Sequence, residues 1–374
     1  MITIKKVENS ADKKLFIDFP HDLYKDDKNY VPELFIAQSD LMDPKKNPFF
    51  KHSKADLYLA LKDGKVVGRI SAIRNNNYNE FANVKVGFFG FFDVINDYEV
   101  AKKLFDTVSD WMKKENLTSI IGPTNFSTNE TCGLLIDGLD APPMVMMTYN
   151  AGYYKDFLEK YGFGKQMDLV AYVLDPLDMP EKLLRLSKGV EERLNRRGIT
   201  IREINMKDFA NEVEKVKVIY NAAWDKNWGF VPMTDDEFKH MGKDMKMILD
   251  KDFAYVAEEN GRMIGFSLTI PNVNEIFATI KRGRLFPTGI FKLLLNKSKI
   301  TSVRVITLGV LEEYRKLGID VVFYAKNMET ARRKKIKYAE ASWILESNKE
   351  MNSPLISINA KKYKTYRIFE KKLA

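Results

Sequence analysis

Apolar positions along this chain switch repeatedly between two spacings, every second residue and roughly every 3.6 residues, the signatures of strand and helix. In the first half, alternating or continuous apolar runs predict strands at ITIKKV near the N-terminus, Asp56–Leu61, Val66–Ile73, Lys85–Asp93, Thr118–Ile121 and Asp168–Leu174. Met144–Tyr149 is a further apolar stretch. Helical spacing predicts helices over Lys13–Tyr24, Tyr98–Lys114 and Gly152–Lys160, the last stopped by Gly162. In the second, Tyr98–Lys114, Val100, Leu104, Val108 and Trp111 form one stripe. The second half predicts strands at Thr200–Ile204, Phe253–Ala257, Met263–Ile270, Ser302–Val310, Ala339–Leu345 and Lys364–Phe369. Its helices fall at Met206–Trp224, Thr234–Ile248, Val321–Lys335 and Lys349–Ile358, and Thr234 with Glu237 reads as a capping box.

The two halves repeat one plan. The turn Asp63-Gly-Lys-Val-Val-Gly68 recurs as Asn260-Gly-Arg-Met-Ile-Gly265, each copy after an apolar run, LYLAL and FAYVA. Upstream, YKDDKNYVP from Tyr24 matches WDKNWGFVP from Trp224; downstream, NAGYYKDFLEKYGF from Asn150 corresponds to NKEMNSPLISINAK from Asn348. Asp-Gly and Asn-Gly between apolar runs are hairpin signals. The expected organisation is a domain over residues 1–175, a connector over 176–197 that is helical from Glu181 to Arg196, and a second domain over 198–374. The fold class is mixed α/β (α+β), each domain a mixed, mostly antiparallel sheet flanked by helices.

Composition narrows the class. With 374 residues, 45% hydrophobic and 30% charged, the chain suits two soluble cores. No apolar stretch reaches the ~18 residues of a membrane span, so no membrane is expected as a partner. A single cysteine, Cys132, excludes an internal disulfide, and His21, His52 and His240 are far apart in sequence, so no metal site is expected. These features suggest the cytoplasm. The formal charge of +9 suits an anionic ligand. Lys281, Arg282, Arg284, Lys292, Lys297 and Lys299 form one basic stretch without an acid, and Arg332-Arg-Lys-Lys335 another. Neither makes the continuous stripe with aromatic platforms that nucleic-acid binding needs.

The sharpest local signal is VRVITLGVLEEYRKLGID, Val303 to Asp320. A buried strand ends, a short loop follows, and Arg315-x-x-Gly318 introduces a helix whose first amides lack internal partners and can meet phosphate oxygens. This pattern resembles the Gln/Arg-x-x-Gly-x-Gly/Ala loop of the GCN5-related N-acetyltransferase (GNAT) superfamily, with Asp320 departing at the last position. The resemblance covers the second half as a site and the first half as a fold, and implies two tandem acetyltransferase-like domains, the first degenerate. In place of the loop the first half has FFGFFDVINDYEVAKKLF, with Asp93, Asp97 and Glu99 where phosphate would sit. The implied cofactor is acetyl-CoA or another acyl-CoA, with Leu308 and Val310 serving its pantetheine arm, Arg315, Lys316, Gly318 and Ile319 its pyrophosphate, and Asn348 the arm again.

For the chemistry, the resemblance puts a carbonyl-polarising amide at Val310 and lacks the superfamily's usual Tyr, for which Tyr363 is the substitute. Strand alternation puts Glu340 and Glu346 on one face as candidate bases, or as partners of nearby Arg or Lys. Trp224, Trp228 and Phe230 form an aromatic group that suits an acceptor pocket or core packing. Asn129, in the loop GPTNFSTNETCG, is a candidate substrate contact in a loop that could equally bond to itself. The leading expectation is acyl-CoA-dependent acetyl transfer to a small-molecule or peptide amine. The alternatives are a non-catalytic binding or structural protein, or an aminoacyl transferase of the peptidoglycan-building type. Oligomeric state is left open.

Overall fold

The computed structural model describes residues 1–178, 180–224 and 227–373. Along the first half run β1 (Ile2–Lys6), α1 (Ser10–Leu23), α2 (Phe35–Leu41), β2 (Lys54–Lys62), β3 (Lys65–Arg74), α3 (Asn76–Ala82), β4 (Val86–Val94), α4 (Tyr98–Lys114), β5 (Ser119–Gly122), β6 (Leu134–Asp137), α5 (Tyr154–Tyr161) and β7 (Gly164–Leu174). Then follow α6 (Glu181–Arg196), β8 (Ile199–Glu203), α7 (Phe209–Trp224), α8 (Asp235–Ile248), β9 (Ala254–Glu259), β10 (Arg262–Pro271), α9 (Asn274–Phe277), α10 (Ile290–Asn296), β11 (Ser302–Val310), α11 (Ile319–Arg333), β12 (Tyr338–Leu345), α12 (Lys349–Ser357) and β13 (Lys361–Lys372). Met144–Tyr149 is not a strand.

The repeated turns close β-hairpins as their sequences require. Asp63 and Gly64 have φ of 52° and 78°, and Asn260 and Gly261 have 50° and 80°. Two successive positive φ values are the two-residue type I′ hairpin turn that matches strand twist. The capping box at α8 is complete: Thr234 N–H donates to Glu237 Oε2 at 2.8 Å, and Glu237 N–H donates back to Thr234 Oγ1 at 3.3 Å.

The chain forms two compact units that do not follow the linear division at residues 175 and 198. The first comprises Met1–Leu169, Asn274–Lys297 and Lys364–Ala374; the second comprises Val170–Val273 and Ser298–Tyr363. In the first unit the strand order is β1-β2-β3-β4-β5-β13, with β6 on β13. The last strand of the chain thus completes the first unit, Phe369 pairing with Gly122 and Lys372 with Ser119. Tyr366, Ile368 and Phe369 are wholly buried there. In the second unit the order is β12-β11-β10-β9-β8, and Val170, Tyr172 and Leu174 of β7 enter its core. Periodicity marks β7 and β13 as strands but carries no information about which sheet receives them, which is why the linear division differs.

Candidate active site

The second unit separates two parallel strands. β11 and β12 pair from Ser302–Tyr338 to Val305–Ala341, and the ladder stops there. From Thr307 to Val310, β11 pairs with its antiparallel neighbour β10 and, among the described residues, with no other strand. Thr307 Oγ1, on the separated stretch, and Trp343 Nε1, on β12 just past the last pair, are buried polar atoms with no hydrogen-bond partner among the described residues.

At the end of β11 the chain turns through Glu312–Tyr314 into α11. Gly318 sits at the helix N-cap with φ 88°, a left-handed conformation that glycine adopts without steric cost. Because the cap residue has no side chain, the helix start is unsealed. Among the described residues, the amides of Lys316, Gly318, Ile319, Asp320 and Val321 meet no protein acceptor, and Asp320 does not fold back on them. Its carboxylate lies toward Tyr324, whose phenol is held above its usual range first by burial and then by Asp320.

Several expected site residues are placed differently. Arg315 is exposed, and its guanidinium meets two backbone carbonyls: Nε donates to Val310 at 3.3 Å and Nη2 to Ala223 at 3.4 Å. Both bonds tie its side chain to the backbone beside the loop. Asn348 is the N-cap of α12, its Oδ1 accepting from the Met351 amide at 3.1 Å, which makes it a helix-capping group. Ile319 is buried in the core and offers only its amide, while Lys316 is exposed. Leu308 and Val310 pack in the same core. Trp224 stacks on Tyr220 at 5.0 Å and its ring lies against Gly309, where a Cβ would come within 2.5 Å of it. Trp224 therefore covers the separated strand. Trp228 is half-buried. Asn129 lies in the first unit, in a loop whose polar groups largely bond to one another: its amide donates to Ser127 Oγ at 3.1 Å, and Asn125 Nδ2 donates to Thr131 Oγ1 at 2.7 Å.

Of the two candidate bases, only Glu340 is in the interior. Glu346 lies past the end of β12 and is exposed, since the strand stops at Leu345 before alternation can carry it to the same face. Glu340 is 0% exposed and Arg304 2%. Ser342 Oγ joins them, accepting from Arg304 Nε at 2.8 Å and donating to Glu340 Oε1 at 2.5 Å; the direct Nε–Oε1 separation is 3.8 Å. Tyr363 donates to the other oxygen, Oε2. A buried carboxylate needs this much neutralisation and hydrogen bonding to stay out of water. Glu340 and Tyr363, singled out separately in the sequence, are thus one hydrogen-bonded pair. Arg304 and Ser342 were missed; the signal for Arg304 was a guanidinium inside the apolar strand VRVITLGV.

The first unit contains a related arrangement with the opposite accounting of backbone groups. β4 and β5 also run parallel and separate after Phe88–Ile121. There the 122–133 loop fills in: the Thr124 amide donates to the Phe89 carbonyl at 2.8 Å, and the Phe91 amide donates to Asn125 Oδ1 at 2.8 Å. The following helix, α4, is capped by Asp97, which accepts from the Glu99 amide at 3.1 Å.

No family model matches the chain. Protein YghO of Escherichia coli (strain K12) is 37% identical over 373 residues, which cover 98% of this chain and 94% of that protein. The bacterial ceramide synthase of Caulobacter vibrioides (strain NA1000 / CB15N) is 34% identical over 381 residues, covering 100% of this chain and 98% of that protein. In fold the chain is similar to the tandem GNAT protein from the clavulanic acid biosynthesis pathway, with a TM-score of 0.59 at 9% identity, covering 100% of this chain and 99% of that one. Such identity speaks to the fold alone. The chain belongs to the family of Protein YghO and the bacterial ceramide synthase, and it shares the fold of a tandem GCN5-related N-acetyltransferase protein.

Proposed function

We propose that this chain is an acyl-coenzyme A-dependent N-acyltransferase whose second unit holds the coenzyme and whose acceptor is the primary amine of a long-chain amino alcohol or a near analogue. The observation that carries the reading is the row of open amides before α11, at the end of a strand that has parted from its neighbour. Backbone N–H groups at a helix start suit a diphosphate. The acceptor class is supported by the likeness to a bacterial ceramide synthase, because a ceramide is a long-chain amino alcohol acylated on nitrogen.

The residues fit such a coenzyme. The amides of Lys316 and Gly318–Val321 would hold the diphosphate, and the free edge of Ile306–Val310 would receive the pantetheine arm. The bound coenzyme supplies an acyl thioester, a carbonyl activated toward an amine. This chain's own residues handle the proton. An ammonium cannot attack, so one proton must leave the acceptor nitrogen. Tyr363 is the half-buried end of the cluster: its oxygen takes that proton as its own passes to Glu340 Oε2. Ser342 and Arg304 hold the carboxylate in place for the transfer.

The test uses the full chain with a long-chain acyl-CoA and sphinganine, reading free thiol and N-acyl product together. One thiol per amide is the expected stoichiometry. Gly318→Val, whose Cβ meets Val190 Cγ1 within 2.8 Å and which disfavours the φ of 88°, is expected to weaken acyl-CoA binding by at least about ten-fold, roughly 1.4 kcal/mol. Folded wild-type protein that takes up no acyl-CoA in calorimetry would overturn the coenzyme assignment. Acyl transfer to other amines but never to sphinganine would overturn the acceptor alone.

A further inference from the structure

The segment Leu285–Asn296 of the first unit presents its apolar side outward. Phe286 is 73% exposed, Phe291 62%, Leu294 62% and Leu295 74%. Phe291, Leu294 and Leu295 stand at i, i+3 and i+4, so they share one face of α10, and that face points to solvent. Ile290 and Leu293 are half-buried on the other side. An ordinary surface helix is arranged the other way round.

The segment is also firmly attached. Arg284 donates to both carboxylate oxygens of Asp18, at 2.8 and 2.9 Å, and its guanidinium lies 3.4 Å from the Phe35 ring centroid. Arg282 pairs with Asp22 at 2.5 Å, and Gly289 is packed where a Cβ would meet the Arg284 carbonyl at 2.6 Å. The exposed apolar face is therefore held by specific contacts. Along the segment itself the charge has one sign: Lys281 to Lys299 contains no Asp or Glu, and while Arg282 and Arg284 are paired with Asp22 and Asp18, Lys281, Lys292 and Lys297 are exposed.

We propose that this element docks the first unit onto the surface of a lipid bilayer bearing anionic headgroups, with Phe286, Phe291, Leu294 and Leu295 entering the headgroup–acyl boundary and the lysines meeting phosphate. Two features identify the occupant. An outward apolar face needs an apolar phase, and a cationic surround matches an anionic surface; the headgroup region of an anionic bilayer supplies both. Among the described residues no helix is long and apolar enough to cross a membrane, so the association is peripheral. The sequence expectation of no membrane rested on the lack of a spanning stretch, which a peripheral mode does not need. The inference goes beyond the acyl-transfer reading and does not depend on it.

Flotation of the full chain with vesicles of phosphatidylcholine alone, and of phosphatidylcholine with phosphatidylglycerol, tests it. Wild type is expected to rise with the mixed vesicles, to bind neutral ones less, and to be released as salt is raised. Phe291→Ser with Leu294→Ser and Leu295→Ser is expected to lose at least about ten-fold in partition. Should that triple variant melt early, Lys281→Glu with Lys292→Glu serves in its place and is expected to lose binding selectively to the anionic vesicles. Wild type that stays behind with both vesicle types overturns the proposal, as does a folded triple variant that floats as wild type does. A dimer in sedimentation that the triple variant converts to monomer also overturns it, by assigning the face to a second copy of the chain.

Discussion

The two units solve the same packing problem and end with opposite surfaces. Each buries an Arg–carboxylate pair on neighbouring strands and ties it to a tyrosine: Arg69, Asp93 and Tyr24 in the first, Arg304, Glu340 and Tyr363 in the second. Each also parts two parallel strands ahead of a helix. In the first unit the parted edge is closed by the chain's own loop and the helix start by Asp97. In the second, among the described residues, the parted edge has no strand on it, and the helix start carries a glycine. Buried or half-buried backbone groups need partners. Whether those partners are built in is what separates a scaffold from a binding position; the fold is common to both.

The comparison can be broken most sharply in the first unit's buried pair. Asp93 sits 2.8 Å from Arg69 with both side chains nearly inaccessible, so Asp93→Ala strands a buried guanidinium and is expected to lower stability by about 3–5 kcal/mol in urea denaturation. Acyl-CoA affinity per folded molecule should be unchanged; a parallel loss of binding would mean that the first unit also serves the coenzyme. Next in size is Tyr363→Phe, which leaves Glu340 without its Oε2 donor. If Tyr363 relays a proton, kcat falls by about a hundred-fold with KM little altered; a structural role alone would leave turnover near wild type.

A third effect depends on pH. His21 in the first unit is pushed down to about 4, by burial first and then by Arg69, Arg282 and Arg284. An unfolded histidine titrates near 6.5, so the unfolded chain binds the extra proton between those values and stability falls as pH drops through that window. Between pH 7 and pH 5 the loss is about 2 kcal/mol, and His21→Asn is expected to flatten that slope in denaturant titrations at each pH. The smallest effect sharpens the contrast between helix starts. Asp97→Ala is expected to cost about 1 kcal/mol of stability and to confer no acyl-CoA binding on the first unit, because the 122–133 loop still occupies the parted strand.

Much of the scaffold was legible because it is local. The twin hairpins follow from Asp63-Gly64 and Asn260-Gly261, and the start of α8 follows from Thr234 and Glu237, since both need only neighbouring residues. The Arg-x-x-Gly loop marked the second unit's open helix start, but not the contacts of Arg315 itself: a motif fixes a residue's position, and which carbonyls lie near it, here Val310 and Ala223, depends on the fold. Arg304 and Ser342 escaped notice because their significance is non-local; Arg304 matters only once β11 and β12 stand side by side. Glu346 was set beside Glu340 by extending alternation past the point where the strand stops. Helical spacing within Ile290–Asn296 shows an apolar stripe, but only packing reveals that it faces outward.

The placement of β13 has a consequence for how this protein is made. Its residues from Thr365 onward pair with β5 and β6, so the first unit lacks that strand until the residues of the second unit have been translated. During synthesis, the N-terminal residues must wait on the ribosome with an unpaired sheet edge, a state that invites chaperone capture or edge-to-edge association. A premature stop just before Lys364 would strike the N-terminal unit hardest, far from the lesion along the message.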